Sequence, residues 1–195
     1  MYNNLIELIA SLITLDQDDE VIVKSLFQPI SVKKDTILVD ICEVSTTAYF
    51  INSGFVRYYK IVETGEEQTI HLSSPGEFIA AFCSFVGNTK SEETLHTLTD
   101  AELLTISRHD LDKLYGTNIK WQEFGRKLME TLLLEKEKRI IDQLSLTAQE
   151  RYQKLLNLNP QLIQHIPIQY VASYIGIKPE SLSRIRKQIF LTNVK

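Results

Sequence analysis

Cysteine is scarce in this chain: Cys42 and Cys83 are the only two among 195 residues. That excludes a disulfide framework and points to a reducing cytoplasm. It also excludes an iron–sulfur cluster, which needs about four cysteine ligands. No apolar run approaches the roughly 20 residues that span a bilayer, so no membrane is expected. Met1 to Ser11 has no basic segment, and Glu7 interrupts its apolar residues, so no secretory leader is expected. Histidine stops at His71, His96, His109 and His165, with no His-x-His pair. No Gly-rich phosphate loop exists, nor a Ser or Cys nucleophile with a base motif. Catalytic residues, metal ligands and cofactors are therefore all read as none.

Positive charge is thin in the front of the chain. Residues 1–118 hold 8 Lys/Arg against 18 Asp/Glu, a net of −10. Residues 119–195 hold 13 against 7, a net of +6, and the two sum to the overall −4. An acidic front joined to a basic back suggests two jobs in one chain. The basic back can supply the phosphate attraction that dominates DNA affinity.

The apolar pattern changes period along the chain. Residues 4–27 read as helical, with Leu5, Leu8, Ile9 and Leu12 at helical spacing and Val21, Val23, Leu26 and Phe27 following an acidic turn. From about Phe27 to Ser107 the period falls to two. Apolar runs at 36–39, 48–51, 55–62, 67–72 and 102–106 are punctuated by Asn52-Ser53-Gly54, Glu63-Thr64-Gly65-Glu66 and Ser74-Pro75-Gly76. Strands at that spacing predict a small β-barrel or jelly roll. A short helix comes next over 109–116, then a long one from Ile119 to about Leu144. Its apolar residues, among them Trp121, Phe124, Leu128, Leu132, Ile140 and Leu144, cover more than one stripe. Two stripes predict two burials, one on the β-domain and one on a second copy; a single wide face inside a monomer is the alternative. Thr147-Ala148-Gln149-Glu150 is a capping box that starts another helix. Residues 157–164, with Pro160, read as a linker. The fold class is therefore α+β. The expected parts are a sensor-like domain over 1–116, a dimerisation helix over 117–145 and a helix-turn-helix domain over 146–195.

The helix-turn-helix is the most informative stretch. Ile168 to Ile175 fits one short helix, with Val171 and Ile175 on its buried side. Ala172 is small where a second helix must cross. Gly176 can take a left-handed turn without steric cost. Pro179 suits the first position of the next helix, where no N–H is needed. Leu182, Ile185 and Ile189 face the first helix. Glu180, Arg184 and Lys187 fall on the opposite side, with Ser183 beside them. A solvated amphipathic hairpin would explain the charges but not the placement of the small residue and the glycine.

The order of β-domain, long helix and helix-turn-helix resembles the Crp/Fnr family of bacterial transcription regulators. The segment from Ile51 through Thr64-Gly65-Glu66-Glu67 to Ser74-Pro75-Gly76-Glu77-Phe78-Ile79 carries half of that resemblance, and the helix-turn-helix carries the rest. The resemblance implies a homodimer on pseudo-palindromic double-stranded DNA, with RNA polymerase as a further partner. It places Arg184 against a guanine edge, Glu180 against a cytosine amino group, and Ser181 and Lys187 against phosphates. Pro179 stands where the family often has a basic residue, which predicts a different half-site. Lys195 closes the sequence just past the recognition helix, so little or no wing hairpin is expected.

The resemblance also marks an effector pocket over Pro75, Gly76, Glu77, Phe78, Ala80, Ala81, Phe82, Ser91 and Glu92. Nucleotide-binding members carry a Gly-Glu pair and an Arg-Ser pair there. Here Ala80-Ala81 and Ser91-Glu92 replace them, with Glu93 next in the chain. Carboxylates in place of a guanidinium repel a phosphodiester, so cyclic AMP is not the expected effector. Another small-molecule effector, or none, remains open. Tyr58, Tyr59, Phe78, Phe82 and Phe85 read either as a pocket lining or as plain core. Cys42 and Cys83 read either as a redox pair or as buried small hydrophobes. Two rival readings are a cupin-like metal- or small-molecule-binding barrel, and a protein-interaction module that no longer binds DNA.

Overall fold

The computed structural model describes residues 1–193. Lys195, on which the expectation about a wing rests, lies outside the described residues. Two helices open the chain, α1 (Asn3–Leu12) and α2 (Gln17–Leu26). The helical stretch read over 4–27 is thus two helices, divided near the acidic turn expected before Val21. The break lies where the Asp16 and Asp19 side chains cap one another's backbone N–H groups at 3.0 and 2.9 Å. Lys120 Nζ bridges both carboxylates.

Eight strands come next: β1 (Gln28–Val32), β2 (Ile37–Val39), β3 (Thr47–Ser53), β4 (Val56–Ile61), β5 (Glu67–Ser73), β6 (Phe78–Ile79), β7 (Thr94–Thr97) and β8 (Ala101–Ser107). They form two antiparallel sheets ordered β1-β8-β3-β6 and β2-β7-β4-β5. The architecture is a jelly roll rather than a closed barrel, with β5 at one edge. Alternation along β3 sorts its side chains between two layers. Tyr49 and Ile51 turn inward, into a core with Val39, Val56, Ala81, Leu95 and Leu103. Phe50 turns outward, against the helices. Gly54, at φ +92°, lets the chain pass the Asp100 carbonyl, which a Cβ would meet at 2.5 Å.

The helices are α3 (Phe82–Gly87), α4 (Arg108–Thr117), α5 (Ile119–Ser145), α6 (Ala148–Leu158), α7 (Pro160–His165), α8 (Ile168–Ile175) and α9 (Pro179–Asn193). Residues 157–164 were expected to be a linker, yet Pro160 sits at the first turn of α7, where a missing N–H costs nothing. The 27 residues of α5 extend roughly 40 Å. Its first turns are core: Trp121, Phe124 and Leu128 pack with Leu5, Ile9, Phe27, Phe50 and Leu114. These three were expected at a dimer surface. They are instead spent inside their own chain, because α1, α2 and α4 cover that end of α5. Leu132 also packs against this cluster.

Beyond it one apolar side of α5 is uncovered. Leu133, Leu134, Ile140, Ile141 and Leu144 are 66, 54, 61, 54 and 84 % exposed. The steps from 133 to 140 and from 134 to 141 are one heptad, the spacing of a helix that meets another helix.

A third core unites both ends of the chain. Phe55, Leu72 and Leu98 of the jelly roll pack with Tyr152, Leu155, Leu162, Ile166, Val171, Ala172, Ile175 and Leu182. The helical C-terminal part is therefore not a bead on a string. Among the described residues, no helix is long and apolar enough to cross a membrane.

Candidate nucleic-acid interface

The turn between α8 and α9 is set by four residues, Ala172, Gly176, Pro179 and Leu182. Ala172 is fully buried and lets α9 approach closely. Gly176 takes φ +84°, and its N–H reaches Ala172 O at 3.0 Å. The Ile177 N–H also ends on Ala172 O, at 3.0 Å, so the last carbonyls of α8 are satisfied. Pro179 then opens α9, and Leu182, fully buried, locks it against α8.

With Leu182 inward, helical geometry carries Glu180, Ser183, Arg184 and Lys187 outward, and all four are exposed. Ser181 lies on the flank and is half-buried. Sequence reasoning passed over Arg186, which is exposed on the other flank and lines a small hollow with Tyr152, Ile163, Ile166 and Leu182. Its signal was a basic residue at the rim of the apolar stripe, where a long stem lies on apolar surface and a charged head stays in water.

The side of this unit facing the jelly roll is gripped by polar contacts. The Arg57 side chain is 2 % exposed. Its guanidinium lies 4.4 Å from the Tyr59 ring centroid and 4.0 Å from that of Tyr170 on α8. Arg57 Nε donates to Thr69 Oγ1 at 2.9 Å, and Nη1 pairs with the Glu67 carboxylate. A desolvated cation over an aromatic face contributes about 2 kcal/mol. One turn further along α8, the Arg139 guanidinium lies 4.0 Å from the Tyr174 ring. Burial pulls the Arg139 pKa below its ordinary value and pushes the Tyr174 hydroxyl above its own. Between the two rings, Ser173 Oγ accepts from the Thr69 N–H at 2.9 Å, and Gln68 Nε2 donates to Ser173 O at 2.9 Å.

The residues marked for an effector pocket have different surroundings. Pro75 and Gly76 form an exposed turn, and Glu77 Oε2 lies 3.2 Å from His71 Nε2. Phe78 belongs to the outer core, 5.2 Å from Phe50 and 6.3 Å from Phe124 between ring centroids. It pairs with Phe50 across β3 and β6 and so shares its outward face. Ala81 is buried between the sheets, and Ala80 is half-buried. Phe82 starts α3 and meets Lys136 Nζ of α5 at 5.3 Å. Ser91 is buried and donates to Glu93 O at 2.7 Å. Glu92 turns to solvent and pairs with Lys60 at 2.6 Å. The less exposed carboxylate of the two is Glu93, which is half-buried. Burial, with Glu93 beside it, pushes the Tyr58 hydroxyl far above its ordinary pKa. Glu93 Oε2 is buried without a hydrogen-bond partner among the described residues. Cys42 and Cys83, read as a redox pair or as buried hydrophobes, are both exposed. Among the described residues, no group of three or more His, Cys, Asp or Glu side chains is placed to hold a metal ion.

A jelly roll joined by a long helix to a helix-turn-helix is a fold shared with solved transcription regulators, one of them of the crp/fnr family. Residues 29–118 match the sequence model of the cyclic nucleotide-binding domain. The chain is 25 % identical over 182 residues to an anaerobic regulatory protein of Aggregatibacter actinomycetemcomitans, spanning 88 % of this chain and 68 % of that one. The fold is also that of FixK2 from Bradyrhizobium japonicum, at a TM-score of 0.74, 19 % identity and 86 % of both chains. It is likewise that of CLP from Xanthomonas campestris, a c-di-GMP-responsive global regulator, at a TM-score of 0.68 and 20 % identity over 91 % of this chain and 93 % of that one.

Proposed function

We propose that this chain acts as a homodimer that reads pseudo-palindromic double-stranded DNA with α9 and does no catalysis. The carrying observation is the exposed face of Glu180, Ser183, Arg184 and Lys187 on a helix anchored by Leu182 and a left-handed Gly176. Arg184 recognises a guanine edge, and Glu180 one turn earlier accepts from a cytosine amino group. Ser181, Lys187 and the flanking Arg186 hold phosphates. The uncovered heptad stripe on α5, from Leu133 to Leu144, supports pairing with a second copy. A bound dimer on a promoter meets RNA polymerase, and the DNA target fixes a cytoplasmic location. The half-buried Glu93, with its Oε2 unpartnered among the described residues, and the exposed Glu92 favour an effector other than cyclic AMP, or none.

The test is selection of bound duplexes from random DNA at two salt concentrations, without added ligand. A two-fold symmetric motif whose binding weakens with salt is expected. Arg184→Ala should then lose roughly 1–3 kcal/mol of discrimination at one base pair of each half-site. No motif, or an unchanged preference in Arg184→Ala, overturns the reading.

A further inference from the structure

Only Leu146 and Thr147 separate α5 from α6. A unit joined through two residues can pivot unless something holds it. Beside the shared apolar core and the Lys154–Asp142 pair, the directional hold is on α8, gripped at three successive points on one side. Tyr170 lies under Arg57, Ser173 is bonded by Thr69 and Gln68, and Tyr174 lies under Arg139. Arg139 Nη2 and Gln143 Nε2 each also donate to Tyr174 O at 3.3 Å. Arg57 belongs to β4 and Arg139 to α5, so the grip ties the helix-turn-helix to the sheet and to the long helix together. Both arginines are fixed in turn: Arg57 by Tyr59, Thr69 and Glu67, and Arg139 by its place on α5.

We propose that Arg57 and Arg139 are positioning residues for DNA reading, which set the direction of α9 relative to the long helix and thereby the half-site spacing the dimer accepts. The proposal rests on the DNA-reading function above. In the gripped state the outward face of α9 is still exposed, so the grip is compatible with reading and does not occlude it. On helical grounds Arg139 lies well round α5 from Leu133, Ile140 and Leu144. One side of α5 thus orients the reading unit, while the other stays open to a second copy.

The physical consequence is selectivity for geometry. Half-sites lie about one helical turn, roughly 34–36 Å, apart, and one added base pair moves them by roughly 3.4 Å and 35°. A rigid pair of reading units cannot follow that displacement. A pivoting pair can, and then behaves as two tethered modules whose joint binding depends on the tether alone.

The experiment uses the full-length protein and three kinds of duplex: the selected two-fold site, the same site with one base pair inserted or deleted at its centre, and a single half-site. The wild-type protein is expected to bind the altered spacings about tenfold or more weakly, and Tyr170→Ala only about twofold more weakly. Half-site affinity should stay the same in both. Tyr170→Phe keeps the ring face under Arg57 and should restore the wild-type spacing preference, whereas Tyr170→Leu, which keeps apolar bulk without a π face, should not. Arg139→Ala and Ser173→Ala each release one hold, and carry the test if Tyr170→Ala does not fold. Folded Tyr170→Ala and Arg139→Ala proteins that keep the full spacing penalty overturn the proposal while leaving DNA reading intact. A wild-type protein that selects no two-fold site overturns the DNA-reading function itself.

Discussion

Phe55 and His165 stack with ring centroids 5.3 Å apart and 23° between their planes. One belongs to the jelly roll and the other to the end of α7. The contact sits on a core that both parts of the chain share, so the two parts stabilise each other. Phe55→Ala should cost about 3–5 kcal/mol, the usual range for a large buried aromatic. Thermal unfolding should remain one transition at a lower midpoint. Two separate transitions in the wild-type protein would show that this core does not couple the two parts.

Gly176 closes α8 in the left-handed region, at φ +84°, where a side chain is strained. Gly176→Ala should destabilise by about 1–2 kcal/mol. A Cβ there meets nothing closer than Gln143 Oε1 at 3.5 Å, so the cost is conformational rather than steric. Gly176→Asn should therefore recover part of it, since asparagine tolerates that region. Denaturant midpoints of the two variants decide the matter, and equal loss in both sinks the argument.

Glu137 lies on the uncovered side of α5, four residues after Leu133 and three before Ile140. If that stripe is the dimer seam, a carboxylate in its middle weakens pairing while helping to fix its register. Glu137→Leu should tighten the dimer, measurably by sedimentation equilibrium, and Leu144→Lys should weaken it. A monomer–dimer equilibrium indifferent to both changes would put the seam elsewhere.

Cyclic AMP should give no titration heat at micromolar concentration. Glu93, beside the buried Tyr58 hydroxyl, offers a phosphodiester repulsion where it needs donors. Saturable micromolar binding would refute this.

The start of α6 should be acid-sensitive. Thr147 Oγ1 and the Thr147 N–H bond to the Glu150 carboxylate at 2.7 and 2.8 Å, and these bonds hold its pKa below the ordinary carboxylate value. The folded pKa is the lower one. The cap therefore stabilises fully above the unfolded pKa and is lost as pH falls through the folded one. Amide exchange at Thr147, corrected for its intrinsic pH dependence, should quicken between about pH 5 and pH 3. In Glu150→Gln, where the amide oxygen still accepts, it should not. A flat wild-type profile counts against this cap.

Local punctuation made much of the fold legible. The end of α8 at Ile175 and the start of α9 are readable in the sequence because Gly176 and Pro179 mark them chemically. The capping box at Thr147 is equally clear. Pro160 misleads because the same residue ends a helix or begins one, and only the residues after it decide. Trp121, Phe124 and Leu128 mislead for another reason. Periodicity gives the face of a helix but not which neighbour covers it. Cys42 is misjudged because burial tendency is an average, whereas this residue sits in a turn at φ +68°. Arg57 is invisible as a contact residue. Its partner Tyr170 lies far along the chain, and nothing local in either segment announces the pair.

The bond from the Thr69 N–H to Ser173 Oγ has a protective side. Thr69 lies on β5, the last strand of its sheet, and an uncovered edge N–H is a template on which a strand from another molecule can grow. By lying along that edge, α8 insulates it. Any change that frees the helix-turn-helix also uncovers a sticky border, so loosened variants should clump on warming before they unfold.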